Sequence, residues 1–142
     1  MAGWYVSQER YPALWIGQVA VVRLPEEIDV TTADAVQGEL LAVIDAGAAL
    51  LIADMSKTNF CDSAGVSALV RVFRRTSANG SSMRLVVGMP AVHRVLSITG
   101  VDRLVDTFPS VGASLAGSND QVSGALDRPD TATAGADTDG GG

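Results

Sequence analysis

The strongest constraint on this chain is a short run, Ala49-Leu50-Leu51-Ile52-Ala53, that is apolar throughout and bounded by Gly47 and Asp54. It is too short for a helix and shows no polar alternation. It therefore predicts a strand covered on both faces and central in its sheet. Such a strand needs packed layers around it, and the flanking sequence supplies them. Residues 19–24 (Val-Ala-Val-Val-Arg-Leu) are apolar and largely β-branched and end at Pro25, as a strand would. Residues 32–46 place Ala33, Val36, Leu40, Leu41 and Ile44 at helical spacing, with Thr31 as the expected N-cap and Gly47 past the end. A second helix is predicted over 63–78, with Val66, Leu69, Val70 and Phe73 on one stripe, stopped by Asn79-Gly80. A strand over 83–87 follows, then a helix opened by Pro90 and closed by Gly100, with Val92, Val95, Leu96 and Thr99 on its inner side. Residues 104–108 suggest a last short strand. The fold class is α/β: one domain with a mixed central sheet of four to five strands, helices packed on it and right-handed crossovers.

The chain has 142 residues and is 47% apolar, enough for one core and too little for a second full domain. Residues 1–12 contain Trp4, Tyr5, Val6 and Tyr11 and read as an N-terminal segment, either an edge strand or loosely packed; the domain itself is expected over 13–116. From Gly117 to the end the sequence is Gly, Ala, Ser, Thr and Asp with few large apolar side chains, and the expectation is a disordered acidic tail over 117–142. The formal charge is −6, but residues 117–142 carry five Asp and one Arg, which leaves the rest near −2. That near-neutral balance and a single lysine argue against nucleic-acid binding, which needs clustered cations to neutralise phosphates. A single cysteine, Cys61, excludes an internal disulfide, and the N-terminus lacks a secretory pattern. The longest small-or-apolar stretch falls far short of the ~20 residues of a membrane span. These features predict a cytoplasmic protein with no membrane segment.

The chemistry concentrates in residues 51–66, where Asp54-Met55-Ser56 leaves the central strand and Phe60-Cys61-Asp62-Ser63-Ala64-Gly65 opens the second helix. Ligands and partners gather outside the carboxyl ends of strands in open α/β sheets, which places Asp54, Ser56, Asp62 and Ser63 where function concentrates. Ser63 has two readings. Its oxygen can cap the orphan N–H groups of the helix, or its hydroxyl can accept a phosphoryl group. The added charge, about −1.5 to −2, would sit at exposed backbone N–H groups and beside Asp62 and Asp29. Folding would tolerate that charge; a docking partner would not.

The ensemble resembles the STAS domain of bacterial anti-sigma factor antagonists. The residues that carry the resemblance are Val22-Arg23-Leu24-Pro25-Glu26-Glu27-Ile28-Asp29, Asp54-Met55-Ser56, Asp62-Ser63-Ala64-Gly65, Met83-Arg84-Leu85-Val86-Val87 and Pro90-Ala91-Val92, in the family's order across residues 13–116. The resemblance implies that Ser63 is phosphorylated by an anti-sigma factor with serine kinase activity. The unmodified chain would capture that partner and so release a sigma factor. A phosphatase acting on phospho-Ser63 would restore binding. Asp29, Ser56, Asp62, Ser63, Ala64 and Gly65 are the implied partner-binding residues. Glu26-Glu27 stands where the family often has Gly-Glu, so the loop before Asp29 is expected to differ.

Other chemistries fit less well. A serine hydrolase would need His93, the only histidine, as base for Ser63, but the nucleophile-elbow pattern wants Gly where Cys61 stands. One Cys and one His do not make a zinc site, the carboxylates lack calcium-loop spacing, and no phosphate-cradling glycine loop is present. No cofactor or metal is expected, and the chain is not read as an enzyme. Cys61 reads as a small buried apolar residue or a redox sensor. Arg71, Arg74 and Arg75 read as a solvated helix face or a contact for an acidic partner. Asp29, Asp54 and Asp62 read as caps and turn formers or as partner contacts. A STAS-type scaffold or ligand-sensing module without a sigma-factor role is the alternative to the switch.

Overall fold

A computed structural model of the chain describes residues 2–6 and 11–123. It divides into two compact units, residues 1–111 and 112–142. In the first, strands β1 (Ala2–Val6), β2 (Pro12–Ile16), β3 (Val19–Arg23), β5 (Leu50–Met55), β7 (Ser82–Val87) and β8 (Asp106–Phe108) form one sheet in the order β1-β2-β3-β5-β7-β8. β2 runs antiparallel to both β1 and β3, and β3, β5, β7 and β8 are mutually parallel. A separate two-stranded parallel sheet pairs β4 (Glu27–Ile28) with β6 (Phe60–Cys61). Helices α1 (Ala33–Asp45), α2 (Ser63–Ala78), α3 (Pro90–Thr99) and α4 (Val101–Leu104) complete this unit.

The apolar run is central, as its composition demands: all six residues of β5 are buried, and the strand lies between β3 and β7. Alternate residues of three neighbouring strands, Ala20 and Val22, Leu51, Ala53 and Met55, and Met83, Leu85 and Val87, share one core cluster with the helices. The helices contribute Val36, Leu40 and Val43, then Leu69 and Val72, then Val92 and Leu96. Packing of period-2 strand faces onto period-3.6 helix faces is what fixes the layers. It also carries the strand ends, and the loops that leave them, into fixed positions.

The mixed α/β class holds, with six strands in the main sheet where four to five were expected. The additional pairing comes from residues before Val19, where Pro12-Ala13-Leu14-Trp15-Ile16 turns back at Gly17, whose φ of 59° suits a glycine, and pairs with β3. Residues 1–12, read as an edge strand or loose packing, hold β1 at the sheet edge; residues 1 and 7–10 lie outside the described residues. The buried stripe of α2 runs through Ala68, Leu69, Val72 and Thr76, with Val66, Val70 and Phe73 only partly buried beside it. Small residues let α2 approach its neighbours closely, which a count of large side chains cannot register. Thr99 is exposed, its hydroxyl donating to the Val95 carbonyl at 2.7 Å instead of facing inward. Of the three arginines, Arg75 pairs with Asp45 of α1 at 3.0 Å and Arg71 donates to Gln37 at 3.3 Å. Both contacts are exposed cross-helix links.

The second unit is described through α5 (Val111–Ser123). The disordered tail was expected from Gly117, but the helix continues through Ser123. Val111 and Leu115, four residues apart, begin a helical pattern that the small and polar residues after them do not break. Residues 124–142 lie outside the described residues.

Candidate functional site

The two-residue strands β4 and β6 build the site. Their register places Ile28 opposite Cys61, and the Asp62 N–H donates to the Ile28 carbonyl at 3.1 Å. Asp29 and Asp62 are the next residues on each strand, so parallel pairing brings these two carboxylates to the same end of one small sheet. Gly65 makes the pairing possible. A Cβ at this position would lie 2.8 Å from Cys61 Sγ, from Ile28 Cγ2 and from the Ile28 carbonyl oxygen. Ile28 and Cys61 are themselves 0% and 4% exposed, so neither can move aside into solvent. Gly65, expected on the partner surface, is buried beneath it and acts through close packing, because it has no side chain to present.

Ser63 is the first residue of α2 and is exposed. The N-cap of this helix is Asp62, whose extended backbone turns its carboxylate back onto the first turn. Asp62 Oδ1 accepts the N–H groups of Ala64 at 2.9 Å and Gly65 at 3.1 Å. Capping, one of the two roles open to Ser63 in the sequence, therefore falls to its neighbour. Among the described residues no hydrogen bond engages the Ser63 hydroxyl, which leaves it available to an incoming group. Two of the N–H groups expected to receive a phosphoryl charge are already held by Asp62. A phosphoryl group on Ser63 would thus meet a carboxylate at the helix start, and its charge would project outward.

Asp29 is locked by its own turn. Its Oδ1 accepts the Thr31 N–H at 2.8 Å and the Thr31 hydroxyl at 2.6 Å, while its carbonyl accepts the Thr32 and Ala33 N–H groups. Bonds from the Thr31 side chain and then its backbone hold the Asp29 carboxyl below its usual 3.8. The N-cap of α1 is Thr32, one residue after the expected Thr31, because Thr31 is consumed by the Asp29 turn. Thr32 Oγ1 accepts the Asp29 N–H and donates to the Glu27 carbonyl, both at 3.0 Å. The helix start, Asp29 and β4 form one bonded unit.

The neighbouring loop carries Asp54 and Ser56. Asp54 Oδ1 accepts the Ser56 N–H at 3.0 Å, a turn-forming role, and Ser56 is half-buried. A Cβ at Gly88, just after β7, would lie 2.7 Å from the Ser56 carbonyl oxygen, so that loop and the link between β7 and α3 are in close backbone contact. Thr58 went unnoticed in the sequence, since a lone threonine among polar loop residues gives no signal. It is 0% exposed, and its hydroxyl donates to the Pro25 carbonyl at 2.7 Å. Together with the Asn59 N–H bond to the Glu26 carbonyl at 2.8 Å, it ties the loop after β5 to the loop before β4. Glu26-Glu27 is accommodated in this way without a glycine: Glu26 supplies a backbone acceptor and Glu27 starts β4.

Two other candidates take definite places. Cys61 is buried, and desolvation followed by the Asp62 charge pushes its thiol up to about 11, which suppresses the thiolate that redox chemistry needs. His93 lies on the exposed side of α3, in an open groove of about 550 Å³ lined by Val87, Gly88, Met89, Pro90, Arg94, Ser97 and Ile98; Ser63 is not part of that lining. Two large apolar side chains near the aspartates in sequence are exposed. Val30, which follows Asp29, is 76% exposed, and Phe60, the first residue of β6, is 49% exposed.

Comparisons with known proteins agree on the fold. An anti-sigma factor antagonist from Mycobacterium paratuberculosis superposes with a TM-score of 0.69 at 24% identity, over 81% of this chain and 99% of that one. The Bacillus anti-sigma factor antagonist SpoIIAA in its unphosphorylated form gives 0.66 at 19% identity, over 78% and 96%. A sulfate transporter family protein from Wolinella succinogenes gives the same 0.66 and 19%, over 75% and 89%. The architecture thus occurs in both regulators and transporter-associated proteins. Among the described residues no helix is long and apolar enough to cross a membrane. The STAS domain family model matches residues 12–114, so this chain, with its β4–β6 pair and the Asp62-Ser63 helix start, belongs to the STAS domain family.

Proposed function

We propose that the chain is an anti-sigma factor antagonist switched by phosphorylation of Ser63, the alternative tied to transport or scaffolding being a STAS module without such a switch. One observation carries the reading: Ser63 is exposed at the first position of α2 while Asp62 performs the capping, so the hydroxyl is not required by the fold. The likeness to SpoIIAA, a protein solved in both unphosphorylated and phosphorylated forms, supports it. In the unmodified state Val30, Phe60, Asp29, Asp62, Ser56 and Ala64 offer a mixed apolar and acidic face to an anti-sigma factor with serine kinase activity. Phosphorylation adds about −1.5 to −2 of charge beside Asp62 and Asp29, which opposes docking without disturbing the packed layer beneath. A phosphatase resets the surface, and the cycle operates in the cytoplasm. The chain itself supplies the acceptor and performs no catalysis.

The test is capture by kinase-type anti-sigma factors with ATP, using the native chain, Ser63→Ala and Ser63→Asp. Ser63→Ala should bind constitutively and Ser63→Asp poorly. Equal binding by all three, with no phosphate on Ser63, refutes the switch and leaves the scaffold reading.

A further inference from the structure

The two edges of the main sheet are built differently. One edge, β8, is three residues long, opens on Asp106 and is followed by Pro109. Short length, a charge and a proline each discourage a further strand, since proline has no N–H to donate and a charge resists burial. The other edge, β1, has none of these. Ala2-Gly3-Trp4-Tyr5-Val6 holds no charged residue and no proline. Its five residues pair one for one with Ile16 through Pro12 of β2, without a bulge. The adjoining strand β2, Pro12-Ala13-Leu14-Trp15-Ile16, is uncharged as well. Across residues 1–22 the only Asp, Glu, Lys or Arg are Glu9 and Arg10, which cancel. An edge strand spends the N–H and C=O groups of alternate residues on its neighbour, and those of the others point away along the sheet plane. Among the described residues no strand lies beyond β1 to receive them.

We infer that β1 pairs antiparallel with β1 of a second copy of this chain, joining two six-stranded sheets into one of twelve strands across a two-fold axis. The sequence selects the register. With the axis at Trp4, Ala2 stands opposite Val6, Trp4 opposite Trp4 and Gly3 opposite Tyr5. The glycine, the poorest strand former of the five, is then set against an aromatic residue. An axis at Gly3 or at Tyr5 loses two of the five pairs, and the former sets glycine against glycine. Two copies of a strand meet every charge twice, so an uncharged strand is the kind that tolerates itself as a neighbour. The pairing is isologous: it consumes the unprotected edge of both copies and leaves β8 at each end, so assembly stops at two. One strand pair is a small contact beside the ~1,200 Å² at which stable interfaces begin, and the dissociation constant should lie at roughly tens to hundreds of micromolar. The dimer does not depend on the antagonist reading.

The test is sedimentation equilibrium of the full-length chain from about 5 µM to about 1 mM, a range that spans that constant. Monomer should give way to dimer, with no larger species. Hydrogen exchange at single amides of the native chain should slow with concentration at alternate residues of β1, and at none in β8. Trp4→Lys and Trp4→Glu each set like charges opposite one another at the axis and should raise the dissociation constant about three- to tenfold. An equimolar mixture of the two variants, which sets Lys against Glu, should associate more tightly than either alone. The exchange measurement needs no substitution and so holds whether or not either variant keeps its strand. A monomer at every concentration, species beyond the dimer, or a mixture no tighter than its components overturns the pairing. Protection of β1 that is independent of concentration overturns it too, and assigns the edge to another segment of the same chain.

Discussion

Alanine at Gly65 and alanine at Gly38 should move stability in opposite directions. Both glycines lie inside helices, where Gly→Ala on its own is favourable by roughly 0.5–1 kcal/mol. Gly38 is exposed on α1, and nothing lies within 4 Å of an added Cβ. It should show the full helix gain, raising Tm by about 2–4 °C in a domain of this size. At Gly65 the added carbon meets three atoms at 2.8 Å, one of them the Ile28 backbone oxygen, so β4 itself must shift. Overpacking of this kind costs about 1–3 kcal/mol, here toward the upper end because a strand carbonyl cannot rotate away. After the helix gain is subtracted, the net loss is about 2 kcal/mol, or about 8 °C in Tm. Thermal and urea unfolding followed by circular dichroism measure both variants. If Gly65→Ala matches or exceeds the native stability, the close packing of Ile28, Cys61 and α2 is refuted. Because that packing also sets the distance between Asp29 and Asp62, Gly65→Ala should weaken anti-sigma capture even where the chain remains folded.

Further expectations concern the site's polar groups. Asp62→Ala removes both bonds to the first turn of α2 and should cost about 1 kcal/mol, read from the urea midpoint, with Asp62→Asn recovering most of it. The Asp29 carboxyl is held below its usual 3.8, so its contribution is fully present above that pH and is lost as pH falls through the lowered value. Asp29→Asn should therefore flatten the acid limb of a stability profile below about pH 4, and an unchanged limb would contradict the turn. Cys61, raised from 9.0 to about 11, should react far more slowly with a thiol reagent at pH 8.5 in the native chain than in urea. Its linkage has the opposite sign: stability is unaffected below 9.0 and declines between there and about 11, where the unfolded thiol ionises first. Thr58→Val leaves the Pro25 carbonyl without its donor and should cost about 1–2 kcal/mol by the same urea assay.

The parallel strands of the main sheet and helices α1 to α3 were legible because each prints its own period: the apolar run before Asp54 reads as a covered strand, and α2 was read at its observed ends from Ser63 to Ala78; β2, α4 and α5 were not, being short or built from small and polar residues. The small sheet was not legible. β4 and β6 are two residues each, too short for any periodicity, and their pairing depends on Gly65, whose tolerance for contact appears only in three dimensions. The same holds for the cap of α2. Asp and Ser are both good N-caps, and adjacent candidates cannot be separated by composition; the extended backbone at Asp62 decides between them. In the sequence that choice left Ser63 divided between structure and chemistry. The geometry releases it from capping.

The most direct measurement of the switch is a mass spectrum of the chain isolated from its native cell, with the modified residue located by fragmentation. A fraction of the chain should carry one phosphoryl group on Ser63, and the complex with the anti-sigma factor should contain only the unmodified form. Phosphate at another residue, none under any growth condition, or phospho-Ser63 recovered within the complex would contradict it.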